Sequence, residues 1–162
     1  MQSVSGGVFL SSKQYMVLLF GPALTVMSRI RAVLTALAVM VLPALPFMLW
    51  NFKAFWHQMV STMSGFVFRD DSLTIAVLVK AKMGIQLTRV PGVLATLAVL
   101  AVWAVYGRKA DRAGSAAWGS AIMITFFAGS QFAFPNYYYT VMGLQLSAIM
   151  LSLSEVDGRE LS

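Results

Sequence analysis

Five charged residues lie close together in the middle of an otherwise apolar chain: Arg69, Asp70, Asp71, Lys80 and Lys82. Arginine binds phosphate oxygens as a planar fork, and lysine binds them as a point charge. The group therefore favours a site for an anionic headgroup. Other roles stay open: the acidic residues can form a loop salt bridge, cap a helix or share a divalent cation with a substrate phosphate. The lysines can simply extend toward lipid headgroups.

A second set of polar residues adds ammonium, amide and phenol groups: Lys13, Gln14, Asn136, Tyr137 and Tyr138. An interfacial tyrosine has an apolar ring that suits lipid and a hydroxyl that can bind a sugar or a phosphate. The alternatives are a snorkelling lysine and an aromatic belt that only anchors the protein in the membrane. Together the two sets predict one binding site for the phosphate of a lipid substrate, and they identify no catalytic residue.

The composition places these residues in a membrane protein. The chain is 59% hydrophobic and only 11% charged, whereas soluble domains carry about 25% charge. Its net charge of +6 belongs to residues at the ends of apolar runs, which indicates anionic lipid as a partner and excludes a nucleic-acid interface. With no cysteine and one histidine, His57, a soft-metal site is not predicted, and no cofactor-binding motif occurs.

The apolar residues form runs that predict an all-α fold, a polytopic transmembrane bundle of about five spans. At 1.5 Å per residue, runs of this length cross roughly 30 Å of hydrocarbon, where only helices satisfy the backbone. The runs cover residues 14–27 (a partial run), 32–50, 90–106, 116–132 and 137–153. Pro43 and Pro46 are expected to kink or end the second run. The last two runs predict a tight helical hairpin.

Residues 51–89 have a different character and predict an extracytoplasmic amphipathic or re-entrant segment. Phe52, Phe55 and Trp56 begin a helical apolar stripe that suits a membrane surface. A second helix is expected from Leu73 to Leu87, capped by an aspartate or by Ser72. Because Lys80 and Lys82 lie within it, this helix is not expected to cross the lipid.

Basic residues in short loops indicate the orientation. If the compact basic turns at residues 29–31 and 108–112 are cytoplasmic, then residues 51–89 lie outside the cell and the tail, residues 154–162, lies inside. One prediction holds for either orientation. Lys13, the Arg69–Asp71 turn and residues 136–139 lie on the same side of the membrane.

Four short motifs occur in a characteristic order: SSKQY, LPALPFMLWN, FVFRDDSLT and FAFPNYYYTVMGLQL. This order resembles the C-terminal half of bacterial GT-C-type polytopic glycosyltransferases, in particular the polyprenyl-phosphate-mannose-dependent, mannosyltransferase-like families. The resemblance extends from about Val8 to Leu153. It implies transfer of a sugar, such as mannose, from a polyprenyl-phosphate donor on the extracytoplasmic face of a bacterial inner membrane.

In that class the catalytic acidic residue lies in an extracytoplasmic loop near the N-terminus, and nothing in this chain corresponds to that loop. Residues 1–162 are therefore interpreted as a single transmembrane domain that is a fragment of a larger enzyme. The chain is expected to be inactive until an N-terminal partner chain supplies the base. The alternative is a non-catalytic membrane accessory, a lipid-headgroup-binding protein or a carrier.

Overall fold

The computed structural model describes residues 18–26, 30–58, 68–131 and 133–160. Within these ranges the regular structure is entirely helical, which confirms the predicted all-α class. The helices are α1 (Phe20–Val26), α2 (Ile30–Val41), α3 (Leu45–Trp50), α4 (Phe52–Trp56), α5 (Ile75–Met83), α6 (Val90–Tyr106), α7 (Arg112–Gly129) and α8 (Pro135–Glu160). A 3₁₀ turn, Gly107–Lys109, follows α6.

The chain divides into two compact units, and α2, α3 and α4 belong to the first. A turn at residues 42–44 separates α2 from α3, which confirms the predicted effect of Pro43. Asn51 ends α3 and caps α4, because its Oδ1 accepts a hydrogen bond of 3.0 Å from the Ala54 N–H. Residues Phe52–Trp56, the start of the amphipathic stripe, are helical as predicted, and the rings of Phe52 and Trp56 stack at 6.2 Å.

The second unit comprises residues 21–26 and 69–162, and its centre is the antiparallel series α6, α7 and α8. Helix α6 has the predicted bounds. Helices α7 and α8 form the predicted hairpin, joined by residues 130–134. Asp111 begins α7 as its N-cap, since its Oδ1 accepts a 2.7 Å hydrogen bond from the Gly114 N–H.

Two glycines bring α6 and α7 into backbone contact. A Cβ atom on Gly92 would lie 1.9 Å from the carbonyl oxygen of Gly129, and a Cβ on Gly129 would lie 2.7 Å from the Gly92 Cα. No side chain fits at either position. The crossing holds the start of α6 against the end of α7.

Helix α5 differs from its prediction at both ends. It begins at Ile75, and its N-cap is Thr74, whose hydroxyl accepts from the Val77 N–H. Ser72 is not the cap because its hydroxyl bonds elsewhere, as described below. The helix ends at Met83, well before Leu87, because Gly84 follows in the left-handed conformation with φ of 70°. A helix of nine residues is about 14 Å long, which is too short to cross a bilayer.

One helix in the described part of the chain is long and apolar enough to cross a membrane. It consists of α6 with the following 3₁₀ turn, Val90–Lys109, with a mean hydropathy of 1.9 and 11% of its apolar window buried inside the protein. The helix α2 is apolar but shorter. Helices α7 and α8 contain many small or polar residues, including Ser115, Ser120 and Gln145. The complete five-span bundle stays a prediction.

Candidate functional site

The antiparallel order of the helices places the start of α6, the end of α7 and the start of α8 at the same end of the second unit. We call this region the polar end and define it as residues 69–73, 80–89, 130–131 and 133–138. It contains the predicted site residues Arg69, Asp70, Asp71, Lys80 and Lys82, together with Asn136, Tyr137 and Tyr138. The predicted residues Lys13 and Gln14 lie outside the described part of the chain.

Hydrogen bonds join the Arg69–Leu73 turn directly to the connection between α7 and α8. The Leu73 N–H donates to the carbonyl oxygen of Ala133 over 2.7 Å. The Ser72 hydroxyl is within hydrogen-bond distance of two carbonyl oxygens, that of Arg69 at 2.8 Å and that of Gln131 at 3.3 Å. The Tyr138 hydroxyl donates to the Leu73 carbonyl. These bonds connect two segments that are about sixty residues apart in the sequence.

The charged side chains of the polar end form ion pairs. Arg69 donates to Asp71 through Nε at 3.0 Å and Nη2 at 2.8 Å, while Lys80 Nζ lies 2.6 Å from an oxygen of Asp70. The Arg69 guanidinium also lies 4.8 Å from the centre of the Phe134 ring. Both carboxylates thus face cations of the same chain, which is the loop salt-bridge role that the sequence left open.

The Arg69–Asp71 pair changes the protonation of both groups. The hydrogen bond from the Arg69 side chain lowers the pKa of Asp71 below its ordinary value, and the same bond raises the pKa of Arg69. Asp71 is therefore a weaker base than an isolated carboxylate. Because the pKa of Asp71 is lower in the folded protein than in the unfolded chain, the ion pair stabilises the folded state at pH values above the unfolded-state pKa. This stabilisation is lost as the pH falls through the folded-state pKa.

Gln131 is a central residue of the polar end that the sequence analysis missed. Its Oε1 accepts a 2.7 Å hydrogen bond from Arg89 Nε, and its Nε2 donates over 3.1 Å to the Leu87 carbonyl. Its own carbonyl faces the Ser72 hydroxyl. The residue thereby ties α7 to the Arg69–Leu73 turn and to the loop before α6. The available signal was an amide within the last two residues of the apolar run 116–132.

The three consecutive tyrosines, Tyr137, Tyr138 and Tyr139, occupy two different environments. The Tyr137 ring stacks on Phe127 at 5.3 Å, and Tyr138 meets the same ring at 6.0 Å in an edge arrangement. Tyr139 is exposed, as is Asn136 at the start of α8. Of Tyr137, Tyr138 and Tyr139, only Tyr139 therefore has the exposure expected of an aromatic belt. Tyr137 and Tyr138 pack against the hairpin and position its connection.

An apolar cleft lies beside the polar end, between α5, α6 and α7. Its volume is about 400 Å³, and its lining is mostly aliphatic. Ile75 and Ala76 line it from α5, Pro91 and Ala95 from α6, and Ile124 from α7. The cleft is partly open to the surroundings, and it has the dimensions of a small-molecule site.

We expect Gln131→Ala to destabilise the second unit by about 2 kcal/mol, because it removes a charge-assisted hydrogen bond and a neutral one. Unfolding of the detergent-solubilised protein, followed by circular dichroism in increasing dodecyl sulfate, measures the loss. The control is Gln145→Ala on the exposed face of α8. A loss of equal size in both variants would contradict the bridging role of Gln131.

No protein-family model, no curated protein and no solved structure matches this chain. A group of three or more histidine or carboxylate side chains with metal-binding geometry is absent from the described residues.

Proposed function

We propose that this chain is the donor-binding part of a multi-pass membrane glycosyltransferase, and that its polar end binds the phosphate of a polyprenyl-phosphate sugar. The observation that supports this proposal is the hydrogen-bonded contact between the Arg69–Leu73 turn and the α7–α8 connection. The motif resemblance connects the same two segments with donor binding. Sugar transfer would then need an acidic base from an N-terminal partner chain.

The charge of the polar end suits a phosphate. The polar end carries four cations and two carboxylates, so its net charge is positive; the cations are Arg69, Lys80, Lys82 and Arg89. The Arg69 and Asp71 side chains are 55% and 62% exposed. Exposed ion pairs are weak because water and salt screen them. A phosphate can therefore replace Asp71 as the partner of the Arg69 fork at little cost.

A second candidate function is a non-catalytic protein that binds anionic lipid headgroups. This candidate needs no general base, and the two carboxylates of the polar end are poor bases because each is paired with a cation. The same residues bind phosphate in both candidates. The two candidate functions differ in one respect: only in the first does the addition of a partner chain produce sugar transfer.

Binding of polyprenyl phosphate to the full chain in lipid nanodiscs tests the proposal, with uncharged polyprenol for comparison. We expect the phosphate to bind more tightly than the alcohol. The double variant Arg69→Gln, Lys80→Gln is expected to weaken phosphate binding by about tenfold, since each charged hydrogen bond contributes to affinity. Binding of the alcohol should not change.

The matched control neutralises two cations at the opposite end of α6, as Arg108→Gln and Lys109→Gln. These residues are also exposed and carry the same total charge. An equal loss of phosphate affinity in this control would mean that overall charge, and not the polar end, recognises the lipid. Equal affinity for phosphate and alcohol in the unmodified protein would refute the proposed function.

A further inference from the structure

The apolar cleft is continuous with the polar end through the backbone. Leu87 and Thr88 line the cleft, and the Leu87 carbonyl is also the acceptor for the Gln131 side chain. On the other wall, Ile75 lies two residues after Leu73, whose backbone bonds to Ala133 and Tyr138. The residues at this edge of the cleft are therefore bonded to the polar end or lie next to it in the sequence.

The walls of the cleft have the chemistry of a hydrocarbon site. The polar side chains that line the cleft are the threonines Thr88 and Thr125. The Thr125 hydroxyl already donates a hydrogen bond to the Ala121 carbonyl, one turn earlier in α7. Burial of apolar surface is the main favourable term for a ligand in such a site. The crossing at Gly92 and Gly129, which also line the cleft, brings the two helices together on one side of it.

The charge beside the cleft selects an amphiphile with a negative headgroup. The neighbouring polar end carries four cations and two carboxylates, so an anionic group is attracted to the end from which the cleft begins. An uncharged lipid would use only the apolar walls. Charge complementarity and continuity with the phosphate site thus identify one occupant, the hydrocarbon chain of the lipid bound at the polar end.

We propose that the cleft binds the phosphate-proximal segment of the polyprenyl chain, an inference that rests on the proposed function. At roughly 30 Å³ for a water-sized group, a volume of about 400 Å³ holds about a dozen carbon-sized groups. The remainder of a long polyprenyl chain lies outside the cleft. Recognition therefore depends on chain length only over the first two or three isoprene units.

The affinities of prenyl monophosphates of increasing length test this inference on the full chain in nanodiscs. The series is dimethylallyl, geranyl, farnesyl and geranylgeranyl monophosphate. After correction for partition into lipid, measured with empty nanodiscs, we expect the affinity to increase as far as the farnesyl compound and then to level off. An affinity that increases equally at every step, or at none, would overturn the inference.

Matched phenylalanine substitutions test whether the dependence of affinity on prenyl length arises in the cleft. Ala95→Phe fills the cleft from α6, whereas Ala98→Phe adds the same ring to an exposed position of α6 that does not line it. We expect the first to reduce the affinity for farnesyl monophosphate by about tenfold and the second to have no effect. Ala128→Leu, on the α7 wall, provides a second obstruction if Ala95→Phe does not fold. Equal length dependence in cleft and control variants would refute the cleft site.

Prenyl alcohols separate this inference from the proposed function. If the alcohols bind as tightly as the monophosphates, with the same dependence on prenyl length, then the proposed phosphate recognition is wrong. The cleft would then be a site for uncharged prenyl lipid. If the monophosphates bind more tightly but chain length has no effect, the proposed function stands and the cleft site is wrong.

Discussion

Gly92→Ala is expected to destabilise the second unit by about 3 kcal/mol, near the upper end of the cost of overpacking. The new Cβ would lie 1.9 Å from the carbonyl oxygen of Gly129, a backbone atom that cannot rotate away. Helices α6 and α7 must therefore separate, and the loss extends to the walls of the cleft. Unfolding in mixed micelles, followed by circular dichroism, measures the change.

Gly143→Ala is the matched control for this substitution. Gly143 lies inside α8, and a Cβ on it would meet nothing within 4 Å. Because glycine is a poor helix former, alanine is expected to stabilise this helix by about 0.5–1 kcal/mol. The two substitutions make the same chemical change with opposite expected signs. Equal destabilisation would show that close packing at Gly92 is not the cause.

Phe127→Ala is expected to reduce the free energy of unfolding by about 3–5 kcal/mol, the usual cost for a buried aromatic side chain. Phe127 is only 1% exposed, and its ring contacts those of Phe126, Tyr137 and Tyr138. Removal of the ring leaves a cavity beneath the two tyrosines. If the polar end binds a lipid phosphate, as proposed, the affinity should fall together with stability.

Ile124→Ala provides the comparison on the same helix. Ile124 is 41% exposed, so its surroundings can adjust, and we expect a loss of less than about 1.5 kcal/mol. Dodecyl sulfate titration of both variants gives the two free energies. A Phe127→Ala loss no larger than that of Ile124→Ala would mean that the aromatic cluster contributes little to the hairpin.

The sequence predicts the helices best where apolar runs end at strong signals. Helix α6 has its predicted bounds because charged residues follow it, and the α7–α8 hairpin is confirmed because Pro135 begins its second helix. The predicted ends of α5 were wrong. They depend on Thr74 and on the left-handed Gly84, whose roles come from local backbone conformation that apolar periodicity does not encode.

Proximity within the candidate site was predicted more successfully than its bonding. Placing the Arg69–Asp71 turn and residues 136–139 on one side requires only the alternation of helices. The partners of Arg69, Lys80 and Tyr138 depend on distances of an ångström or two, which helix periodicity cannot supply. The same reason explains why Gln131 was missed, since its importance comes from three contacts distant in sequence.

The bond between Tyr138 and Leu73 has a consequence for biosynthesis. These partners are separated by 65 positions, whereas the α7–α8 hairpin closes over a few residues. At about 5–20 residues per second, the ribosome needs roughly 3–13 s to make the intervening chain. During that time the Arg69–Leu73 turn lacks the partners that the α7–α8 connection provides. The hydrogen bonds between the two segments of the polar end therefore form late, after the final hairpin is synthesised.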